Sequence, residues 1–113
     1  MSLIIYHNPK CSKSRATLAL LRERGLEPQI IEYLKDPPSV EQLKTILGML
    51  GAEPRALLRP REAREAGLDD PSLSDEAILA GMVEHPNVIE RPIVIAGDRA
   101  RLGRPPESVL EIV

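Results

Sequence analysis

Cys11 is the only cysteine among the 113 residues, and it stands where an apolar run, Leu3-Ile4-Ile5-Tyr6, gives way to a helix-like segment beginning near Ser14. The first N–H groups of a helix have no intrahelical partner and the macrodipole places partial positive charge there, so a thiolate at that point is stabilised twice. A free cysteine titrates near ~8.5, and helix N-termini with cationic neighbours bring it to roughly 3.5–7.5. His7, Lys10, Lys13 and Arg15 all lie within four residues of Cys11. Polar and charged neighbours on both sides weigh against the bland fate of a free cysteine, a small apolar core residue. A nucleophile is the chemistry this pattern suggests.

A nucleophile needs an electrophile, and the arginines suggest an oxyanion. Guanidinium forks offer fixed, bidentate donors that stay charged and match tetrahedral anions. Arg91 precedes Pro92, Arg104 follows Arg101-Leu102-Gly103, and Arg59 ends the run Arg55-Ala56-Leu57-Leu58. Spacing alone does not separate these three from arginines best read as solvated, such as Arg22, Arg24, Arg61 and Arg64. Two histidines, one cysteine and no carboxylate cluster do not make a metal site, and His85 before Pro86 reads as a loop histidine.

The totals narrow the field. The length fits one domain with a single core, here residues 1–113. Fifteen Lys plus Arg against seventeen Asp plus Glu leave a formal charge of −2, so no global basic field draws nucleic acid and any anion must be bound locally. Tyr6 and Tyr33 are the only aromatics, which removes stacking platforms for single strands and makes the core aliphatic. A lone cysteine, no signal-like opening and no apolar run long enough to span a bilayer predict a cytoplasmic protein without a membrane segment. A monomer is the default, since no long apolar surface stripe is left over.

The elements that must position Cys11 follow from patterning. Leu3 to His7 reads as a buried strand stopped by Asn8-Pro9, and a helix follows with Ala16, Leu18, Leu20 and Leu21 as its apolar face and Gly25 as its stop. Gln29 to Tyr33 is a second strand, so the opening is a βαβ unit with parallel pairing. Ser39 and Gln42 form a capping box for a helix reaching about Leu50, with Gly51 closing it. Arg55 to Leu58 suggests a brief helical turn, and Arg59 to Pro71 a loop with at most short helix. Ser74, Asp75 and Glu76 open a further helix with Ile78, Leu79, Met82 and Val83 as its core face. Ile93 to Ile95, the tight turn Gly97-Asp98 and Arg99 to Leu102 make a hairpin, and Pro105-Pro106-Glu107 opens a last short helix.

This order describes an α/β, thioredoxin-like fold: a mixed central sheet of about four strands flanked by helices, with a helical insertion between strands 2 and 3. In such a layout the loop after the first strand presents the reactive cysteine, and an X-Pro before the third strand lies across from it. Arg91-Pro92 stands there, which makes Pro92 a candidate cis-proline. Redox members of this fold usually carry C-x-x-C, whereas here the second position is Ser14. Without a resolving thiol no self-contained dithiol cycle can run, so the missing thiol must come from a partner.

The stretch Tyr6-His7-Asn8-Pro9-Lys10-Cys11-Ser12-Lys13-Ser14-Arg15, together with Tyr33-Leu34 before Pro37-Pro38, Arg55 to Arg59, His85-Pro86 and Glu90-Arg91-Pro92-Ile93-Val94, resembles the glutaredoxin-linked arsenate reductase family. The resemblance runs from about Ile4 to Val113. It implies reduction of arsenate to arsenite with glutathione as co-substrate and glutaredoxin as partner, and no bound cofactor. It further implies Cys11 as nucleophile, His7 as the residue helping to hold it as thiolate, and Arg59, Arg91 and Arg104 as the oxyanion clamp. For Ser14 a hydrogen bond toward the Cys11 sulfur is expected, with an N-cap duty as the plainer alternative. The chain departs from the family's best-known pattern at Ser12-Lys13, where Gly-Thr follows the cysteine, and Lys13 is read as facing solvent. Two other readings compete: a regulatory interaction protein resembling the Spx type, against which Ser14 argues, and a glutathione-dependent reductase of another substrate.

Overall fold

The computed structural model describes residues 2–113. Its contacts gather into two compact units, one formed by the residues up to Asp36 with Arg91–Val113 and the other by Pro37–Glu90.

In the first unit, strand β1 (Leu3–His7), helix α1 (Ser12–Glu23) and strand β2 (Gln29–Glu32) are joined by the C-terminal strands β3 (Ile93–Ala96) and β4 (Arg99–Leu102). The strands lie in the order β2-β1-β3-β4. β1 runs parallel to β2, as a right-handed crossover through α1 requires, and antiparallel to β3, which turns back through a hairpin into β4. The sheet is therefore the mixed, thioredoxin-like sheet that the patterning predicts. Ile5 stands directly opposite Val94, and both join Leu18, Leu21, Ala96, Val109 and Ile112 in one aliphatic cluster. Opposed antiparallel residues share a face, so this register commits that face of the sheet to α1 and the C-terminal segment.

Three local expectations are corrected. Helix α1 begins at Ser12, with Cys11 itself as N-cap in an extended conformation, φ −93° and ψ 124°. Its buried residues are Ser14, Thr17, Leu18 and Leu21, a true i, i+3, i+4, i+7 stripe, so Ala16 lies on the exposed side and Leu20 is only partly covered. β2 stops at Glu32, because the N–H groups of Lys35 and Asp36 fold back onto the Glu32 carbonyl at 2.9 and 3.0 Å and put Tyr33 in a turn. The final helix is a 3-10 segment, Pro106–Glu111, which follows a pair of prolines and buries Val109.

The second unit is the helical insertion. Helix α2 (Val40–Leu50) opens with the expected capping box, the Ser39 hydroxyl accepting from Gln42 N–H at 3.1 Å and the Gln42 side chain accepting from Ser39 N–H at 2.9 Å. Helix α3 (Pro60–Glu65) is the short helix allowed within the polar stretch, with proline at its first turn where no N–H is needed. Helix α4 (Asp75–Glu84) buries Ile78, Leu79, Gly81 and Met82, while Val83 is only partly covered. A Cβ at Gly81 would lie 2.5 Å from Leu68 Cδ2, so that side chain would have to shift to admit one. No helix among the described residues is long and apolar enough to cross a membrane.

Gly103 ties β4 to the segment before β3: its N–H donates to the Pro92 carbonyl at 2.9 Å. A Cβ here would lie 2.6 Å from Pro92 Cγ and also press on Thr17 Oγ1. Gly103→Ala is therefore expected to cost about 1–3 kcal/mol through overpacking, read as a lowered urea midpoint at unchanged m-value. An unchanged midpoint would show that this packing yields freely.

Candidate functional site

The loop that delivers Cys11 is built by short-range bonds. Asn8 Oδ1 accepts from the Lys10 N–H at 3.0 Å, the Cys11 N–H donates to the Asn8 carbonyl at 3.0 Å, and the Arg15 N–H then donates to the Cys11 carbonyl at 3.0 Å, opening α1. The thiol thus hangs over the open end of the helix. No side-chain cap bond closes there and the first turn holds no acidic residue, but the backbone N–H groups of Ser14 and Lys13 favour the charged form of the sulfur. Burial pushes the Cys11 thiol up and is the largest single influence. It is outweighed by the Ser14 N–H, the hydrogen bond from the Arg91 guanidinium, the Lys13 N–H and the charge of Arg91, so the pKa falls below its ordinary value.

Arg91 is therefore the cation at the sulfur. The Arg91–Pro92 peptide is cis, and so is Arg104–Pro105. Arg104 Nε donates to the Arg91 carbonyl at 2.9 Å, so the second arginine lies against the backbone of the first. Arg59 belongs to the other unit, where it precedes α3, its N–H donates to the Val88 carbonyl at 2.8 Å and its Nε meets Glu62 at 3.2 Å.

Ser14 and His7 are placed differently from what the sequence suggests. The Ser14 side chain is fully buried and its hydroxyl is spent on His7 Nδ1, at 2.6 Å, and on the Asn8 N–H, at 3.0 Å. The bond to sulfur comes from the Ser14 backbone, not from its side chain, and the N-cap position is held by Cys11. His7, 6% exposed, has its pKa lowered chiefly by burial, opposed by Glu32 and reinforced by Arg22 and Arg15. A neutral imidazole lends the thiolate no charge. His7 instead acts on the loop through Ser14, and its register opposite Glu32 locks it to the sheet.

Asn8 and Tyr33 carry more of the site than their sequence context suggests. Asn8 is 7% exposed and knits the loop, while Tyr33, 1% exposed, lies near Arg91, Asn8 and Cys11. The short amide just before Pro9 was the available signal for Asn8. Beside the loop is a cavity of ≈ 320 Å³ lined by His7, Asn8, Lys10, Leu34 and Lys35 among others. The Lys13 side chain is exposed, and His85 sits at the end of α4 beside Glu84, at 4.0 Å. Among the described residues no three His, Cys, Asp or Glu side chains gather as a metal ion would require.

Residues 6–112 match the model of the ArsC family. The chain is 52% identical to the uncharacterized protein YfgD of Escherichia coli (strain K12) over 96% of its own length and 94% of that relative. It is 45% identical to an arsenate reductase of Neisseria meningitidis serogroup B (strain MC58), covering 93% of this chain and 92% of the other. The solved structure of an arsenate reductase from Vibrio cholerae superposes with a TM-score of 0.95 at 57% identity, over 100% of this chain and 98% of that one.

Two outcomes follow from the geometry. Ser14→Ala strands the buried His7 Nδ1 and Asn8 N–H, and should destabilise the protein by about 1–3 kcal/mol in chemical denaturation; a loss near zero would mean that the network is dispensable. Arg91→Ala removes a hydrogen bond and a positive charge from the thiolate, so the onset of Cys11 alkylation should move to higher pH than in the parent. An unmoved onset would place the stabilising charge elsewhere.

Proposed function

Because the chain belongs to the ArsC family, we propose that it reduces arsenate to arsenite, beginning with attack by Cys11. The observation that supports this most is the pairing of a thiol whose pKa is lowered at a helix start with an arginine bonded to it, a nucleophile and an anion-binding group in one place. The arsenate reductases among its relatives support the choice of oxyanion.

Arg91, with Arg104 held against its carbonyl, neutralises the incoming anion. The Cys11 thiolate forms a bond to arsenic and one arsenate oxygen leaves as water after protonation. Glutathione, the co-substrate, then forms a second sulfur–arsenic bond with loss of a further water. A glutaredoxin thiolate attacks the glutathione sulfur, the sulfur–arsenic bond breaks, and its electron pair stays on arsenic, which becomes As(III). Hydrolysis of the remaining Cys11–arsenic bond releases arsenite and restores the thiol. One protein cysteine suffices because the other two thiols arrive on glutathione and glutaredoxin, and Ser14 leaves no internal thiol to compete.

His7 contributes by keeping the loop rigid and neutral. Its bond to Ser14 fixes the first turn whose N–H groups meet the sulfur, so positioning is supplied without a second cation that would lower the thiolate's nucleophilicity further. The cavity beside the loop, with Lys10 and Lys35 on its wall, offers positive charge to a small anionic thiol.

The purified protein with glutathione, glutaredoxin, glutathione reductase and NADPH is expected to oxidise NADPH only when arsenate is present. Cys11→Ser should abolish this and Arg91→Ala should lower it by about 10- to 100-fold, the equivalent of one or two charge-assisted hydrogen bonds, while both variants stay folded. Absence of turnover in folded parent protein would overturn the arsenate reading and favour a thiol-dependent reductase of another substrate.

A further inference from the structure

We propose that Tyr33 is a positioning residue that holds the Arg91 guanidinium against the Cys11 sulfur. Nothing in the proposed arsenate chemistry requires it, and the inference stands on the Cys11–Arg91 pair alone, whatever the substrate.

The placement starts with the sheet. The register that sets Glu32 opposite His7 ends β2 level with the end of β1, and the turn onto the Glu32 carbonyl then carries Tyr33, the next residue, to the same end of the sheet as the cysteine loop. Its ring is 1% exposed and its hydroxyl oxygen is shielded from water. Two side chains approach that oxygen, Arg91 and Asn8, and the Cys11 sulfur is near enough to act on it by charge. Asn8 Oδ1 is already taken by the Lys10 N–H, so Asn8 offers its amide N–H groups to the phenol, and a guanidinium can only donate. The tyrosine oxygen thus faces two donors. No hydrogen bond closes at that oxygen, so its hold on the guanidinium is the attraction of a buried hydroxyl dipole for a neighbouring charge.

The energetics ask for such a partner. A long arginine side chain has much rotamer freedom, and Arg91 must give it up to keep its fork at the sulfur. Arg104 fixes the backbone carbonyl of Arg91 and so cannot by itself fix the guanidinium. Burying a phenol hydroxyl away from water is unfavourable, and phenylalanine would fill the same space without that cost. A buried hydroxyl beside Arg91, Asn8 and Cys11 is explained if its task is orientation. Burial pushes the Tyr33 phenol up, against the pull of Arg91, so the group stays protonated and neutral at the pH where the thiolate acts.

Tyr33→Phe keeps the ring and removes the oxygen, which makes it the test. Four proteins are compared: the parent, Tyr33→Phe, Arg91→Ala and the double variant, each titrated by the pH dependence of Cys11 alkylation with iodoacetamide. The expected result is a shift of the Tyr33→Phe titration to higher pH, a several-fold slower alkylation at neutral pH, and no further shift when the change is made in the Arg91→Ala background. No shift in the parent background, or an equal shift in both, would overturn the proposal. A purely structural role would lower the denaturation midpoint and leave the titration in place. If Tyr33→Phe does not fold, the parent answers alone: the Arg91 Nε–H resonance should exchange slowly with water, and fast exchange in the intact protein would overturn the proposal as well.

Discussion

The open end of helix α1 is the constraint around which the first unit is arranged. A helix start leaves donors that need an acceptor and a field that favours negative charge, and most helices meet both needs with Ser, Thr or Asp at the cap and acids in the first turn. Here the cap residue is Cys11 and the first turn has none of those acids. Structure and reactivity are thereby linked: the same N–H groups of Lys13 and Ser14 that lack a carboxylate partner are those that draw the thiol's pKa down against the opposing effect of burial.

The rest of the unit keeps that sulfur in register. The buried stripe of α1 changes character along its length, with Leu18 and Leu21 in the aliphatic cluster and Ser14 and Thr17, nearer the cap, in polar contacts. Ser14 joins the helix to His7 at the end of β1 and to the Asn8 N–H of the loop, so strand, loop and helix meet at one hydroxyl. From the other side, the hairpin of β3 and β4 brings Gly103 onto the Pro92 carbonyl, and Arg104 onto that of Arg91, which fixes the chain that carries the guanidinium. Serine in the second position of the C-x-x-C pattern therefore does more than delete a thiol. It supplies a bond that a second cysteine would make poorly.

Much of the architecture was legible because it rests on strong local rules. An unbroken apolar run stopped by proline marks β1, the Ser39–Gln42 pair marks the start of α2, and Gly97-Asp98 marks the hairpin. Failures came where tertiary bonds override local signals. Cysteine is not a usual cap, so nothing local marks Ser12 as the start of α1, and Ala16 is apolar yet lies off the buried i, i+3, i+4, i+7 stripe. In the site, Cys11 is legible from its residue type and its place after β1, whereas Arg91 is singled out only by the family resemblance. The partners of Ser14 and the neutral state of His7 are not legible, since both depend on which buried group faces which across seven residues of chain. Tyr33 looked like one more strand residue because nothing local distinguishes a tyrosine that packs from one that orients an arginine.

The folded chain itself draws the Cys11 thiol below its ordinary pKa, before any substrate binds. Following the thiolate's ultraviolet absorbance in the parent protein, with Cys11→Ser as the blank, tests it most directly. The account predicts one titration with a midpoint below the ~8.5 of free cysteine. A midpoint at or above that value would mean that burial outweighs the helix end and Arg91, and would contradict it.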